Sequence, residues 1–156
     1  CITFGVPRFQ AAYSSVYQIV QSPTHVVFTM ETIHDARVIP LDGRPHLSDR
    51  IQQWLGDSRG HWDGNTLVVD TTGFSPKSNF QGSSSGLRLV ERFTRVGRDT
   101  LQYDATMSDP ATWTKPWTAR LYFKRTDEPL LEYACHEGNV GMVGILSGAR
   151  RLDAQR

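Results

Sequence analysis

Residues 31–37 (ETIHDAR) carry the side chains that acid–base chemistry needs, at a spacing that brings them together. If residues 33–35 form a hairpin loop, Glu31 and Arg37 lie opposite each other on paired strands, with His34 at the tip. A carboxylate facing a guanidinium is either a structural ion pair or an oriented acid beside an anion anchor. A histidine beside a carboxylate is suited to general-base catalysis. Glu31, His34 and Arg37 are therefore candidate catalytic residues, and a polar turn with a weak surface ion pair is the alternative.

A second candidate is Cys135-His136-Glu137, at the end of a predicted strand, where barrel mouths place their sites. His136 would act as an acid or base with Glu137 as its partner; a polar strand end is the alternative. The chain has two cysteines, and we expect Cys1 and Cys135 to form a disulfide, which would require an oxidising compartment. Two unrelated thiols, or a lipid-modified Cys1, are the other interpretations.

Four further residues are candidates for ligand binding. Asp70 alternates with Val69 in a β-branched run, so it points away from the core, into solvent or into a ligand cavity, and Asp57 precedes the same hairpin. Trp113 and Trp117 suit stacking on a ring or closing one end of a barrel. The five histidines show no metal-ligand spacing, so the sequence predicts no metal site and no cofactor, although ligands gathered from distant strands would escape this test.

Short β-branched runs separated by turn signals predict an all-β fold. Asp63-Gly64-Asn65 predicts a hairpin turn flanked by Trp62 and Thr66, and two further hairpins follow it. The predicted strands are Tyr17–Gln21 and residues 25–32, 37–41, 87–96, 100–107, 118–124 and 130–136, besides the two that flank Asp63-Gly64; the predicted helices are residues 47–55 and a weak C-terminal helix within 139–152. Such an antiparallel up-and-down meander is expected to close into a lipocalin-like β-barrel, because closure leaves no edge strand unpaired.

Length and composition are those of one globular domain, residues 1–156, with an N-terminal arm at 1–15 and a mobile loop at 73–86. The formal net charge of +1 gives no electrostatic footprint for nucleic acid, and no apolar run is long enough for a membrane helix. We expect Cys1 to be the first residue of a processed or truncated chain.

Five strings together resemble a family of exported bacterial proteins of unknown function, abundant in acidobacterial genomes: IHDARVIPLDGRPH, WLGDSRGHWDGNTLVVDTTGF, LVERFTR, DPATWTKPWT and EYACHEGN. The resemblance covers nearly the whole chain and implies an extracytoplasmic protein, periplasmic or secreted, whose relatives carry a signal peptide and a further segment before the position of Cys1. It implies no activity and no catalytic residues. It marks as motif positions Glu31, Arg37, Asp42, Arg44, Asp57, Trp62, Asp70, Glu91, Arg92, Trp117, Cys135 and Glu137.

These observations favour a secreted β-barrel that binds, or binds and transforms, a small organic molecule. The first alternative is a self-associating structural subunit of an extracellular filament or coat, since no chemical motif stands out. The second alternative is a metal-dependent barrel enzyme, which depends only on the number of histidines. The sequence leaves open whether the protein is an enzyme.

Overall fold

The chain folds into two antiparallel β-sheets and one helix. The computed structural model describes residues 3–9, 16–78, 80–134, 137–138 and 140–155. The first sheet contains β1 (Tyr17–Gln21), β2 (His25–Met30) and β3 (Ala36–Pro40), and the second contains β4 (Asp57–Asp63), β5 (Thr66–Thr72), β6 (Arg88–Gly97), β7 (Thr100–Ser108) and β8 (Trp117–Lys124); α1 is Gly141–Asp153. Every strand pairs with its sequence neighbour within its sheet, so the predicted β class, meander and C-terminal helix are confirmed.

The two sheets face each other across an aromatic core. Phe28 of β2 packs on Phe93 of β6 with ring centroids 4.9 Å apart, and Tyr17 of β1 stacks on Phe123 of β8 at 5.6 Å. In the described part of the chain, no ladder joins β3 to β4 or β8 to β1. Closure into a lipocalin-like barrel therefore stays a prediction.

The turn predicted at residues 63–65 is confirmed between β4 and β5, but it is one residue shorter than predicted. Asp63 pairs with Thr66 and Trp62 with Leu67, so Gly64 and Asn65 form a two-residue loop. Gly64 has φ of 56°, which suits the first central position of a type II′ turn and strains any residue with a Cβ.

Two predicted elements are wrong. Residues 47–55 form no helix, because Leu47 N–H donates to the Asp57 carboxylate and the Gln53 backbone pairs with Gly73 and Ser75. Among the described residues of 130–136 there is no strand beside β8. Tyr133 instead bonds through its backbone to Glu31 and Ile33, at the end of the first sheet.

The N-terminal arm and the 73–86 loop both pack on the body of the protein. In the arm, Val6 is buried in the core and Phe9 meets Phe80 edge-on at 5.4 Å. In the loop, Phe74 is buried, and both Ser84 N–H and its hydroxyl donate to Asp109. These contacts fix the ends of the loop, and its predicted mobility stays a prediction.

Candidate functional site

A buried ion pair between Arg37 and Glu91 links the two sheets. Arg37 Nη2 lies 2.5 Å from Glu91 Oε2, and the side chains are 5% and 3% exposed. Arg37 also donates from Nε to Ser58 Oγ at 2.9 Å and from Nη2 to Thr71 Oγ1 at 2.6 Å. Because isolated buried charges are very costly, this pairing is what allows both residues to sit in the core.

Glu91 is held by two neighbours. Its Oε1 accepts a hydrogen bond of 2.7 Å from the Tyr103 hydroxyl. Its Oε2 is buried 2.5 Å from Arg37 Nη2, a contact that is ionic rather than an aligned hydrogen bond. Both carboxylate oxygens are therefore engaged within the protein.

Two tyrosines beside this pair are hydrogen-bond donors at neutral pH. Burial raises the pKa of Tyr17 to about 12, with Glu91 adding to the rise and Arg8 opposing it. Burial and the Glu91 charge raise the pKa of Tyr103 well above its usual value. Neither phenol is therefore a base under physiological conditions.

The ion pair borders a small cavity between the sheets. A cavity of about 20 Å³, enough for about one water molecule, is lined by Arg37, Glu91 and aromatic rings of both sheets. It shares Arg8, Tyr17 and Phe123 with a cleft of about 870 Å³. We call this larger space the inter-sheet cleft.

The inter-sheet cleft follows the open border between the two sheets. Tyr17 and Ile19 of β1 line one side, and Phe123 and Lys124 of β8 line the other. Both β1 and β8 are edge strands of their sheets. Its volume is within the range that holds a small organic ligand.

Asp57 and Asp70 belong to a separate network on the outer face of the second sheet. Asp57 is buried under His46, whose Nδ1 lies 2.9 Å from Asp57 Oδ2, and it accepts from Arg59 Nη1 at 2.6 Å. Asp70 lies 3.7 Å from His46 Nε2 and accepts two hydrogen bonds from Arg88. Burial raises the pKa of Asp70, but the bonds and charge of Arg88 outweigh it and leave this pKa below its usual value.

Trp113 and Trp117 form an aromatic cluster with Phe9 and Phe80. The indole rings meet edge-on at 5.6 Å, and Trp117 lies 6.3 Å from each phenylalanine ring. All four side chains pack against the core. The four rings pack as expected for side chains that close one end of the fold. A ligand-binding role for Trp113, Trp117, Asp57 and Asp70 stays a prediction.

The predicted pairing of Glu31 with Arg37 is wrong. The register places Phe28 opposite Arg37, because β2 ends at Met30 and the loop covers residues 31–35, not 33–35. The cause is that Ile33 and His34 both adopt φ of 57°, which shifts the turn toward residue 32. Glu31 Oε2 instead accepts from Val16 N–H at 3.3 Å, and His34 is exposed.

The second predicted centre is only partly described. Cys1, Cys135 and His136 lie outside the described residues, and with them the predicted disulfide. Glu137 is exposed in a turn, where its N–H donates to Ala134 O at 3.0 Å.

Sequence reasoning missed the partner of Arg37, although a signal for it exists. In β6, Glu91 occupies the same strand face as Leu89 and Phe93, and all three are buried. Arg37 shares its face of β3 with buried Ile39. Opposite charges at the core-facing positions of two strands predict a buried ion pair, since neither charge is tolerated in the core alone.

The alkaline titration of the protein tests this environment. Because the folded pKa of Tyr17 and of Tyr103 is above the unfolded value of 10, their contribution to stability is complete below pH 10. The contribution of Tyr17 is lost as the pH rises through its folded pKa of about 12, and that of Tyr103 as the pH rises through its own raised pKa. We expect the ultraviolet absorbance of tyrosinate to show two phenols that ionise only as the protein unfolds. Tyr17→Phe and Tyr103→Phe should each remove one late phenol; removal of an early phenol instead would contradict the assignment.

Two features are absent from the described residues. They contain no group of three or more His, Cys, Asp or Glu side chains that is arranged to hold a metal ion. None of their helices has the length and apolar character needed to cross a membrane. In comparisons with family models, curated proteins and solved structures, the chain matches none of them.

Proposed function

We propose that the protein is an extracytoplasmic binding protein that holds a small organic molecule in the inter-sheet cleft. The observation that carries this proposal is the cleft itself, about 870 Å³ in volume and continuous in its lining with the buried Arg37–Glu91 pair. In this proposal the two sheets work together as an open, barrel-like container, with β1 and β8 bordering the entrance.

The surroundings of the cleft support binding rather than catalysis. Arg37, behind the cleft, is already engaged by Glu91, Ser58 and Thr71, which hold its guanidinium in place. Tyr17 lines the cleft, and because its pKa is raised to about 12 it offers a donor and not a base at neutral pH. Glu91 is likewise engaged, by Arg37 and by the Tyr103 hydroxyl, so the pair holds the two sheets together beside the cleft.

Binding of the neutral dye N-phenyl-1-naphthylamine tests the proposal. We expect one dye per chain, with enhanced fluorescence, because Ile19, Leu101 and Phe123 line the cleft with apolar surface. Ile19→Trp should weaken dye binding at least about tenfold by filling the cleft. Val20→Trp is the matched control, since Val20 is the next residue of β1, is 51% exposed and does not line the cleft.

Two results would overturn the proposal. One is the absence of saturable dye binding, and the other is equal binding by the Ile19→Trp and Val20→Trp proteins. Circular dichroism of both variants shows whether the fold is retained, so that loss of binding is not mistaken for unfolding.

Self-association is the second candidate function, favoured by one observation. In the described part of the chain, α1 has no buried residue. Its apolar side chains Val143 and Ile145 are 72% and 68% exposed. Exposed apolar surface of this kind is typical of interaction sites. Native mass spectrometry of protein from the source organism reports bound molecules and oligomeric state together, and a monomer would exclude this function.

A further inference from the structure

Positive charge is concentrated at the entrance of the inter-sheet cleft. The cleft is lined by five cationic and two acidic side chains, whereas the whole chain has a formal net charge of +1. Four of the cationic residues lie near the ends of two strands: Arg95 in β6, Arg98 in the β6–β7 turn, Lys124 at the end of β8, and Arg125 directly after it. We call these four residues the basic rim.

Most of the basic rim lacks a counterion. Arg95 donates to the carbonyl oxygens of Gly97 and Arg98, and Lys124 donates to Thr100 Oγ1 at 2.7 Å. Within the described ranges, neither these two side chains nor Arg98 forms an ion pair. Arg125 contacts Asp127 at 3.4 Å, and both of those side chains are largely exposed.

The outer face of the same sheet shows the opposite pattern. There Arg88 pairs with Asp70, Arg92 with Asp63 and Arg120 with Asp104, at 2.6, 2.8 and 2.5 Å. The sheet therefore pairs the arginines of its outer face with carboxylates, whereas the basic rim lies with Asp99 and Glu128 along a cleft whose lining is net positive. A net positive cluster beside a cavity attracts anions and raises their local concentration.

Apolar surface continues inward from the basic rim. Ile19, Leu101 and Phe123 line the cleft below the charges, and the stacked rings of Tyr17 and Phe123 separate it from the small cavity at Glu91. A ligand that satisfies both regions has an anionic group at one end and an aliphatic or aromatic body at the other. A purely polar anion would leave the apolar walls exposed, and a neutral apolar molecule would leave the rim unpaired.

We propose that the ligand of the inter-sheet cleft is a soluble amphipathic organic anion: a carboxylate, sulfonate or phosphate bound at the basic rim, with its apolar body between β1 and β8. This inference rests on the proposed function and specifies the class of molecule that the cleft selects. The phosphate of a membrane lipid shares this chemistry, so the test must separate a dissolved amphiphile from a lipid surface.

Competition against N-phenyl-1-naphthylamine with three probes of similar chain length tests the inference. Decanoate, 1-decanol and decyltrimethylammonium share a chain and differ in charge. We expect decanoate to displace the dye with an affinity about tenfold above that of decanol, with the cation the weakest. Added salt should reduce the affinity for decanoate and leave that for decanol unchanged.

A charge-matched pair of variants locates the effect. Arg98→Gln/Lys124→Gln removes two rim charges and should abolish most of the preference for decanoate while keeping the affinity for decanol. Arg92→Gln/Arg120→Gln removes two charges from the outer face and should leave the preference intact.

The outcomes separate the two proposals. Dye binding without a preference for decanoate overturns the anion inference and leaves the binding function standing, whereas the absence of dye binding overturns both. Sedimentation with anionic phosphatidylglycerol vesicles, without binding of dissolved decanoate, would assign the rim to a lipid surface and also overturn the inference.

Discussion

Replacement of Arg37 by Met is expected to destabilise the protein by about 3–5 kcal/mol, because it leaves Glu91 charged, buried and unpaired. The two side chains are 5% and 3% exposed, so water cannot take over the role of the guanidinium. The Tyr103 hydrogen bond to Glu91 Oε1 remains, but it does not neutralise a charge. Equilibrium unfolding in urea measures the loss.

Two further variants make this prediction specific to the pair. Arg37→Met/Glu91→Leu removes both charges, and we expect it to recover at least half of the loss, since apolar replacements of a whole buried pair are often close to neutral. Arg88→Met breaks the pair with Asp70, in which the arginine side chain is 61% exposed, and should cost less than about 1 kcal/mol. Additive losses from Arg37→Met and Glu91→Leu in the double variant would show that the two charges do not depend on each other.

Strand positions were predictable where period-2 patterning and turn chemistry agreed. The β1 prediction of Tyr17–Gln21 matches the structure, and Gly64-Asn65 fixed the register between β4 and β5. The register between β2 and β3 was not predictable in the same way. It depends on positive φ at Ile33 and His34, and a β-branched residue seldom adopts that conformation, so its sequence gives no warning.

The candidate site was predictable only in part for a related reason. Arg37 was identified as an anion anchor, but its partner lies 54 positions away in β6, in the other sheet. Local spacing rules find pairs across one turn, whereas a buried pair between sheets requires knowing which strand faces which. The inter-sheet cleft is harder still, because it exists only where β1 and β8 leave a border unpaired.

Replacement of Gly56 by Ala is the second change from which we expect a large effect. Gly56 has φ of +68°, where a Cβ strains the backbone by about 1–2 kcal/mol. The new Cβ would also lie 2.7 Å from Thr71 Cγ2 and 2.8 Å from Thr72 O, and one of these neighbours is backbone that cannot swing away. Overpacking of this kind costs about 1–3 kcal/mol, so we expect a total loss of about 2–5 kcal/mol.

Gly64→Ala separates strain from contact, because Gly64 also has positive φ, at +56°, but no atom lies within 4 Å of its added Cβ. It should therefore show the backbone strain alone, and equal losses of stability at Gly56 and Gly64 would exclude the steric part.

Thr71 connects Gly56 to the site. Its Oγ1 accepts from Arg37 Nη2 at 2.6 Å, and its Cγ2 would meet the new methyl group of Gly56→Ala. Thr71→Ser keeps the hydroxyl and removes the methyl, so Gly56→Ala/Thr71→Ser should recover part of the loss. No recovery would mean that the contacts with Thr72 O and with Phe74 Cε1, at 2.8 and 3.0 Å, set the steric cost, and that the new methyl group does not disturb the support of Arg37 by Thr71.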